Sequence, residues 1–347
     1  MIETWYAILV GMLTAFVVLE GWDFGCGLLH FAVGRNEADR GVVLSTIGPM
    51  FLWNEVWLVA FGGVTFVAFP IALASAFSGF YLALFLVLWC LILRGVAIEV
   101  RGHSRDPLWR EGWDFTFAVA NVLLAVLVGV ALGNVIRGVP VAPDGSFTLP
   151  FFTDFGVRGK IGILDWYTIS FGMFSLVLFA AHGASYLVLR TVGTVHDRSE
   201  WIARLLWPVA GLLIITISLE TRYVRPDLFS GLYHRPLGWL ALLGVVAGGA
   251  AAITGQYRKR ELTAFAGSCV LIASLMAAGA VGVYPMMLLS TLAPGNSITA
   301  YNGGADAHGL KLALIWWVFA LALTVSYCVF IYRNYRGKVN VSLDTHT

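Results

Sequence analysis

The sequence predicts an all-α, polytopic membrane protein, with about nine spanning helices grouped as two four-helix bundles plus one peripheral helix. Three observations lead there. Of 347 residues, 59% are hydrophobic and only 12% are charged, whereas a soluble domain carries roughly a quarter charged residues. Nine apolar stretches recur along the chain, each close to the ~20 residues that cross a bilayer as a helix. None alternates with period two: "FYLALFLVLWCLIL" is apolar throughout, which excludes a spanning β-barrel.

The predicted spans run at 5–33, 50–73, 77–100, 113–137, 162–190, 201–220, 236–254, 262–284 and 309–333. The first contains "EGWDF" at Glu20–Phe24, with acids where lipid-facing residues would stand. The second opens at "GPMFLWNEVWLVAFGG", with Pro49 suited to a first helical turn. The third ends towards Arg94, Glu99 and Arg101. The fourth opens on a second "EGWDF" at Glu111–Phe115, where an acid suits the helix N-terminal dipole and a Trp suits the membrane interface. The fifth holds His182, in "LFAAHGASYL". The sixth to eighth are apolar rods bounded by charged or Gly/Pro-rich segments, and the ninth precedes the basic tail "YRNYRGKVN". No separate soluble domain fits, so residues 1–347 read as one transmembrane domain.

Charge placement gives orientation and excludes other classes. The net charge of +2 is too small to suggest nucleic-acid binding. With the N-terminus outside, the inner segments collect Arg35, Arg40, Arg94, Arg101, Arg105, Arg110, Arg190, Arg198, Arg204, Arg258, Lys259, Arg260, Arg333, Arg336 and Lys338. The positive-inside rule therefore predicts a multi-pass protein of a prokaryotic plasma membrane, N-terminus outside and C-terminus cytoplasmic. The start "MIETWY" has no basic n-region of a signal peptide. Cys26, Cys90, Cys269 and Cys328 all lie in apolar segments with no C-x-x-C pair, so they read as buried small hydrophobes.

An ionisable side chain deep in a span costs several kcal/mol unless it faces protein or water, so it marks a functional candidate. Glu20, Asp23 and Glu55 qualify. Glu20, Asp23, Gly27 and His30 follow helical spacing and share one face. Asp23 lies roughly 15 Å from an inner end near Val33 at ~1.5 Å per residue. Glu55 enters from the same side, so two or three carboxylates share the inner half of the membrane, where repulsion and desolvation favour proton exchange. The competing reading is structural: Arg94 or Asn54 neutralises them. Asp114 and Glu99, near inner span ends, read as local ion pairs, and His30 as a solvated interfacial side chain. His182 has three readings: metal or haem ligand, donor to a carboxylate, or partner of a backbone carbonyl.

The same residues resemble a known family. "EGWDFGCG" is similar to the first-helix signature of subunit II of cytochrome bd-type quinol oxidases. The likeness continues through "DRGVVLSTIGP", "NEVWLVAFGGVTFVAFP", "SGFYLALFLVLWCLILRGVAIEVR", "LGNVIRGVP" and "HGASYLVLRTVG", in order. After about residue 200 it rests on the span pattern and "GVYPMMLLST".

The resemblance implies a haem-free subunit of a terminal oxidase that oxidises quinol and reduces O₂ to water. Its partner, subunit I, would carry haem b and haem d, or b-type haem only. The family scheme has room for a structural quinone and a small single-span accessory subunit. One departure bears on mechanism. Where the family commonly has an Asp used in proton uptake, this chain has Leu52, followed by Trp53 instead of Gly. The expected proton-handling residues are therefore Asp23 and Glu55, with Glu20 beside them, and Asn54 and Trp57 orienting or shielding them. Arg94 and Glu99 are expected to hold helix packing or the subunit contact. The alternatives are a chemically silent assembly partner, which Leu52 favours, and a proton-coupled transporter.

Overall fold

A computed structural model describes residues 1–339; residues 340–347, and with them the end of the predicted tail and the C-terminal part of the single-domain reading, lie outside the described residues. The helices are α1 (Ile2–Leu28), α2 (His30–Val33), α3 (Glu37–Ile47), α4 (Phe51–Ala68), α5 (Pro70–Gly79), α6 (Tyr81–Val100), α7 (Pro107–Arg137), α8 (Trp166–Arg190), α9 (Thr194–Val224), α10 (Pro226–Tyr233), α11 (Pro236–Tyr257), α12 (Glu261–Val283) and α13 (Ala307–Asn334). Nine of them, among the described residues, are long and apolar enough to cross a membrane. They correspond one for one to the predicted spans.

The edges differ where local chemistry overrides hydropathy. The second predicted span ends early, at Ala68. Pro70 lacks a backbone N–H and pushes Phe69 out of helical geometry (φ −138°, ψ 57°), so the chain restarts as α5. Pro49 falls in the turn before α4, not in its first turn. The fourth span begins about two turns earlier than predicted. Asp106 accepts from Leu108 N–H as N-cap and Pro107 occupies the first helical position. The second EGWDF copy therefore lies inside α7, not at its mouth. The first span is interrupted only at Leu29. That residue keeps helical dihedrals, and its N–H still bonds Gly25 O, so the rod runs on to Val33.

Helices α1, α4, α6 and α7 form one group, and α8, α9, α11 and α12 the other; α1 and α7 pack on α8 to join them. Helix α13 stands at the edge against α4, with Leu310 its one buried residue. Asp306 caps it, and the Gly309 and His308 backbone N–H groups hold that carboxyl below its ordinary range.

The α1–α8 contact is glycine on glycine. A Cβ on Gly25 would lie 2.0 Å from Phe179 O, and one on Gly183 would lie 2.4 Å from the Gly25 carbonyl carbon. This close approach turns the acid-bearing face of α1 away from α8. Gly25→Ala is expected to destabilise the protein by at least about 1–3 kcal/mol, the usual cost of overpacking. The Gly11→Ala change, at a position with nothing within 4 Å, should leave thermal stability in detergent unchanged.

The two long loops, 138–165 and 284–306, fold onto the helix ends instead of forming a domain. Val139, Val141, Phe147, Leu149 and Ile163 pack with Leu288, Ile298 and Ala300 of the second loop and with Trp5, Phe69 and Leu310. Strands β1 (Met286–Leu288) and β2 (Ile298–Thr299) pair antiparallel within that cap. At its base Arg137 donates to Gly162 O at 3.0 Å and to the Asp165 carboxylate, and Asp165 caps α8 with Thr168 in a reciprocal box.

Candidate functional site: a buried acid cluster around Arg94

The C-terminal third of α1, the first turns of α4 and the last turns of α6 meet at one level of the bundle. That geometry brings Glu20, Asp23 and Glu55 together around Arg94. Arg94 Nη1 donates to Glu20 Oε2 at 2.6 Å and Nη2 to Glu55 Oε1 at 2.5 Å. Asn54 Nδ2 donates to Asp23 Oδ2 at 2.8 Å. Tyr332, from α13, donates its hydroxyl to Asn54 Oδ1 at 3.3 Å. The Arg94 guanidinium also lies 5.0 Å over the Phe24 ring.

Burial is nearly complete. Glu20, Asp23, Asn54 and Arg94 are at most 1% exposed, while Glu55 retains 24%. Three carboxylates thus lie around one guanidinium that bonds two of them, Glu20 and Glu55, while Asp23 is bonded by Asn54. Glu20 Oε1, Asp23 Oδ1 and Arg94 Nε are buried with no partner. Fully ionised, the cluster would carry two uncompensated negative charges, a state that a low-dielectric interior penalises heavily. Bound protons relieve it, so the arrangement can take up and release them.

All three predicted site residues are brought together, and Asn54 donates to Asp23, a bond that the orienting and the neutralising readings both allow. Trp57 packs against the core but leaves its Nε1 buried without a partner. Sequence reasoning did not find Tyr332. It lies on the ninth span with nothing in its neighbourhood to mark it, and only the docking of α13 on α4 brings it near Asn54. Leu52 turns outward from the chain and is 63% exposed.

Two histidines are corrected or resolved. His30, expected to be solvated, is fully buried, with Nε2 2.9 Å from Asp114 Oδ1. The reason is that α7 begins early enough to carry Asp114 beside it. Asp114 is 1% exposed and accepts from Arg101 at 2.6 and 3.1 Å and from Arg40 at 3.4 Å, the local ion pairing expected of it. His182 is the backbone-carbonyl case: its Nε2 lies 3.0 Å from Val18 O and its Nδ1 2.7 Å from Ser268 Oγ. Both ring nitrogens are engaged, so it presents no lone pair to a metal. Among the described residues no three His, Cys, Asp or Glu side chains converge on a metal-binding position.

Comparison with known proteins follows the same residues. The family model for cytochrome bd terminal oxidase subunit II matches residues 1–335. The cytochrome bd-I ubiquinol oxidase subunit 2 of Escherichia coli K12 is 26% identical over 375 residues, covering 99% of this chain and 97% of its own. The cytochrome bd ubiquinol oxidase subunit 2 of Bacillus subtilis is 27% identical over 343 residues, covering 97% and 96%. The fold matches a chain in the structure of bd oxidase from Geobacillus thermodenitrificans with a TM-score of 0.74 at 16% identity, over 96% of this chain and 98% of that one.

Proposed function

Because the chain belongs to the cytochrome bd terminal oxidase subunit II family, we propose that it pairs with a haem-bearing subunit I and supplies proton-handling groups to quinol oxidation by O₂. The chain is a multi-pass membrane subunit of a bd-type ubiquinol oxidase. The observation that supports the proton role is the charge balance of the cluster: one guanidinium bonds two carboxylates, and a third, Asp23, has only an amide partner, all inside a membrane bundle.

Its position supports uptake from the cytoplasm. The cluster sits towards the bundle end that also holds Arg35, Arg40, Arg101, Arg105 and Arg110, the end that the positive-inside rule assigns to the inner face. Asp23 exchanges a proton at its unpaired Oδ1, Asn54 holds the other oxygen in place, and Arg94 keeps Glu20 and Glu55 apart from it in charge. Tyr332 braces Asn54 from α13.

His182 does not fit a haem, since both its ring nitrogens are engaged within the chain. Haem chemistry is assigned to subunit I on family membership. In a surface cavity of about 560 Å³ at Tyr233–Leu243, Arg235 donates to Val281 O and Tyr284 O and His234 bonds Ser230 O, so these groups are taken up within the chain. No step is routed through a quinone on this chain.

A silent assembly role is the second reading, favoured by the same Arg94 ion pairs, which would also serve as glue. Purification tests the first. A coloured partner co-purifying with this chain, with a reduced-minus-oxidised haem spectrum and quinol-dependent O₂ consumption, is expected. A colourless chain without a partner would overturn the proposal. Turnover of the acid variants then separates proton handling from glue.

A further inference from the structure

Glu20 and Asp23 are fully buried, and Glu55, the one partly exposed acid of the three, is held by Arg94. A proton that reaches Asp23 from the inner face therefore needs a way through the bundle.

A second buried cluster stands on the same face of α1, closer to the inner end. Arg101 and Arg40 both donate to Asp114, which fixes it as an acceptor. His30 Nε2 must then carry its hydrogen towards Asp114, and the ring's lone pair resides on Nδ1. That Nδ1 is buried with no partner. Between His30 and Asp23, Gly27 admits Asn121 of α7: a Cβ there would lie 2.3 Å from the Asn121 amide. Asn121 gives Nδ2 to Phe117 O at 2.7 Å, which leaves its Oδ1 buried and unpaired. Asp23 Oδ1 and Glu20 Oε1 are the next two unpaired buried atoms. Residues 30, 27, 23 and 20 step along the helix by about 4.5, 6 and 4.5 Å at ~1.5 Å per residue.

We infer that protons reach the acid cluster from the inner face through this chain's own bundle, by way of His30 Nδ1 and the Asn121 carboxamide. Asp114 is the positioning residue that sets the imidazole tautomer. In this path His30 Nδ1 takes a proton from a water on its inner side, becoming an imidazolium paired with Asp114, and returns it to a water held by Asn121 Oδ1, which passes a proton on to Asp23 Oδ1. Each N–H or O–H bond formed matches one broken, Asn121 itself changes no bond, and no electron moves. The inference rests on the proton-handling reading of Glu20, Asp23 and Glu55.

The test uses the intact complex purified with its haem-bearing partner. Quinol-driven O₂ consumption and its solvent deuterium isotope effect are measured for His30→Gln, Asn121→Leu and Asp23→Asn. The expected result is that all three slow turnover about tenfold or more and raise the isotope effect, with wild-type haem spectra. If Asp23→Asn is slow while the other two run at wild-type rate and isotope effect, the path is overturned and the acid cluster stands. If Asp23→Asn also runs at wild-type rate, the acid cluster reading itself fails and the path with it. Asn121→Leu keeps the side-chain volume and touches no ion pair, so it decides the matter alone if His30→Gln does not assemble.

Discussion

Asp23→Asn is expected to lower quinol:O₂ turnover of the complex by about ten- to a hundredfold, within the span that a positioned proton-transfer group contributes. Haem content and subunit stoichiometry should stay at wild-type values. Asparagine keeps the shape of the side chain and can still bond the Asn54 amide, which reaches Asp23 Oδ2 at 2.8 Å. What it removes is the titratable oxygen. Glu55→Gln should act in the same direction but more weakly, because Glu55 is partly exposed and bound to Arg94 at one oxygen. Turnover and proton uptake unchanged in both variants would reduce this chain to an assembly partner.

Arg94→Met is expected to be the most destabilising single change in the cluster, costing about 3–5 kcal/mol, the usual result of removing one partner of a buried ion pair. Arg94 is 1% exposed and makes its two short bonds to Glu20 and Glu55, so methionine leaves two carboxylates without their cation. The readout is the yield and thermal stability of the purified complex. Adding Glu20→Gln and Glu55→Gln to Arg94→Met should recover much of the loss, since neutral amides no longer need the guanidinium. A triple variant no more stable than the single one would show that Arg94 acts by packing against Phe24, 5.0 Å below it, and not by charge.

The acids were legible before any fold was known. A carboxylate within an apolar run is expensive, so Glu20, Asp23 and Glu55 stood out against their neighbours. Their partners stood out less. Arg94 and Asn54 were candidates for neutralising the acids, but which carboxylate each would bind depends on helix rotation. The opening repeat, EGWDF, divides along the same line. In both copies the Asp is buried, Asp23 beside Asn54 and Asp114 beside His30 and Arg101. Read as a helix-mouth residue, Asp114 was expected to pair locally, but its burial beside His30 was not. The N-cap at Asp106 moves the start of α7 by two turns, and hydropathy does not register a cap.

By itself, the sequence determined the solvent, the number of spanning helices among the described residues and the family, and it predicts an orientation. Each of these depends on quantities summed along the chain: apolar length, basic residues between spans, and motifs in order. Only the tertiary structure decided which charges meet. Arg94 lies 74 residues from Glu20 and 39 from Glu55, and His30 lies 84 from Asp114. Contacts at such separations are set by how glycine faces such as Gly25 and Gly183 let helices approach and rotate. In a medium without water, that rotation fixes whether an acid is paired, unpaired or in line with the next proton acceptor.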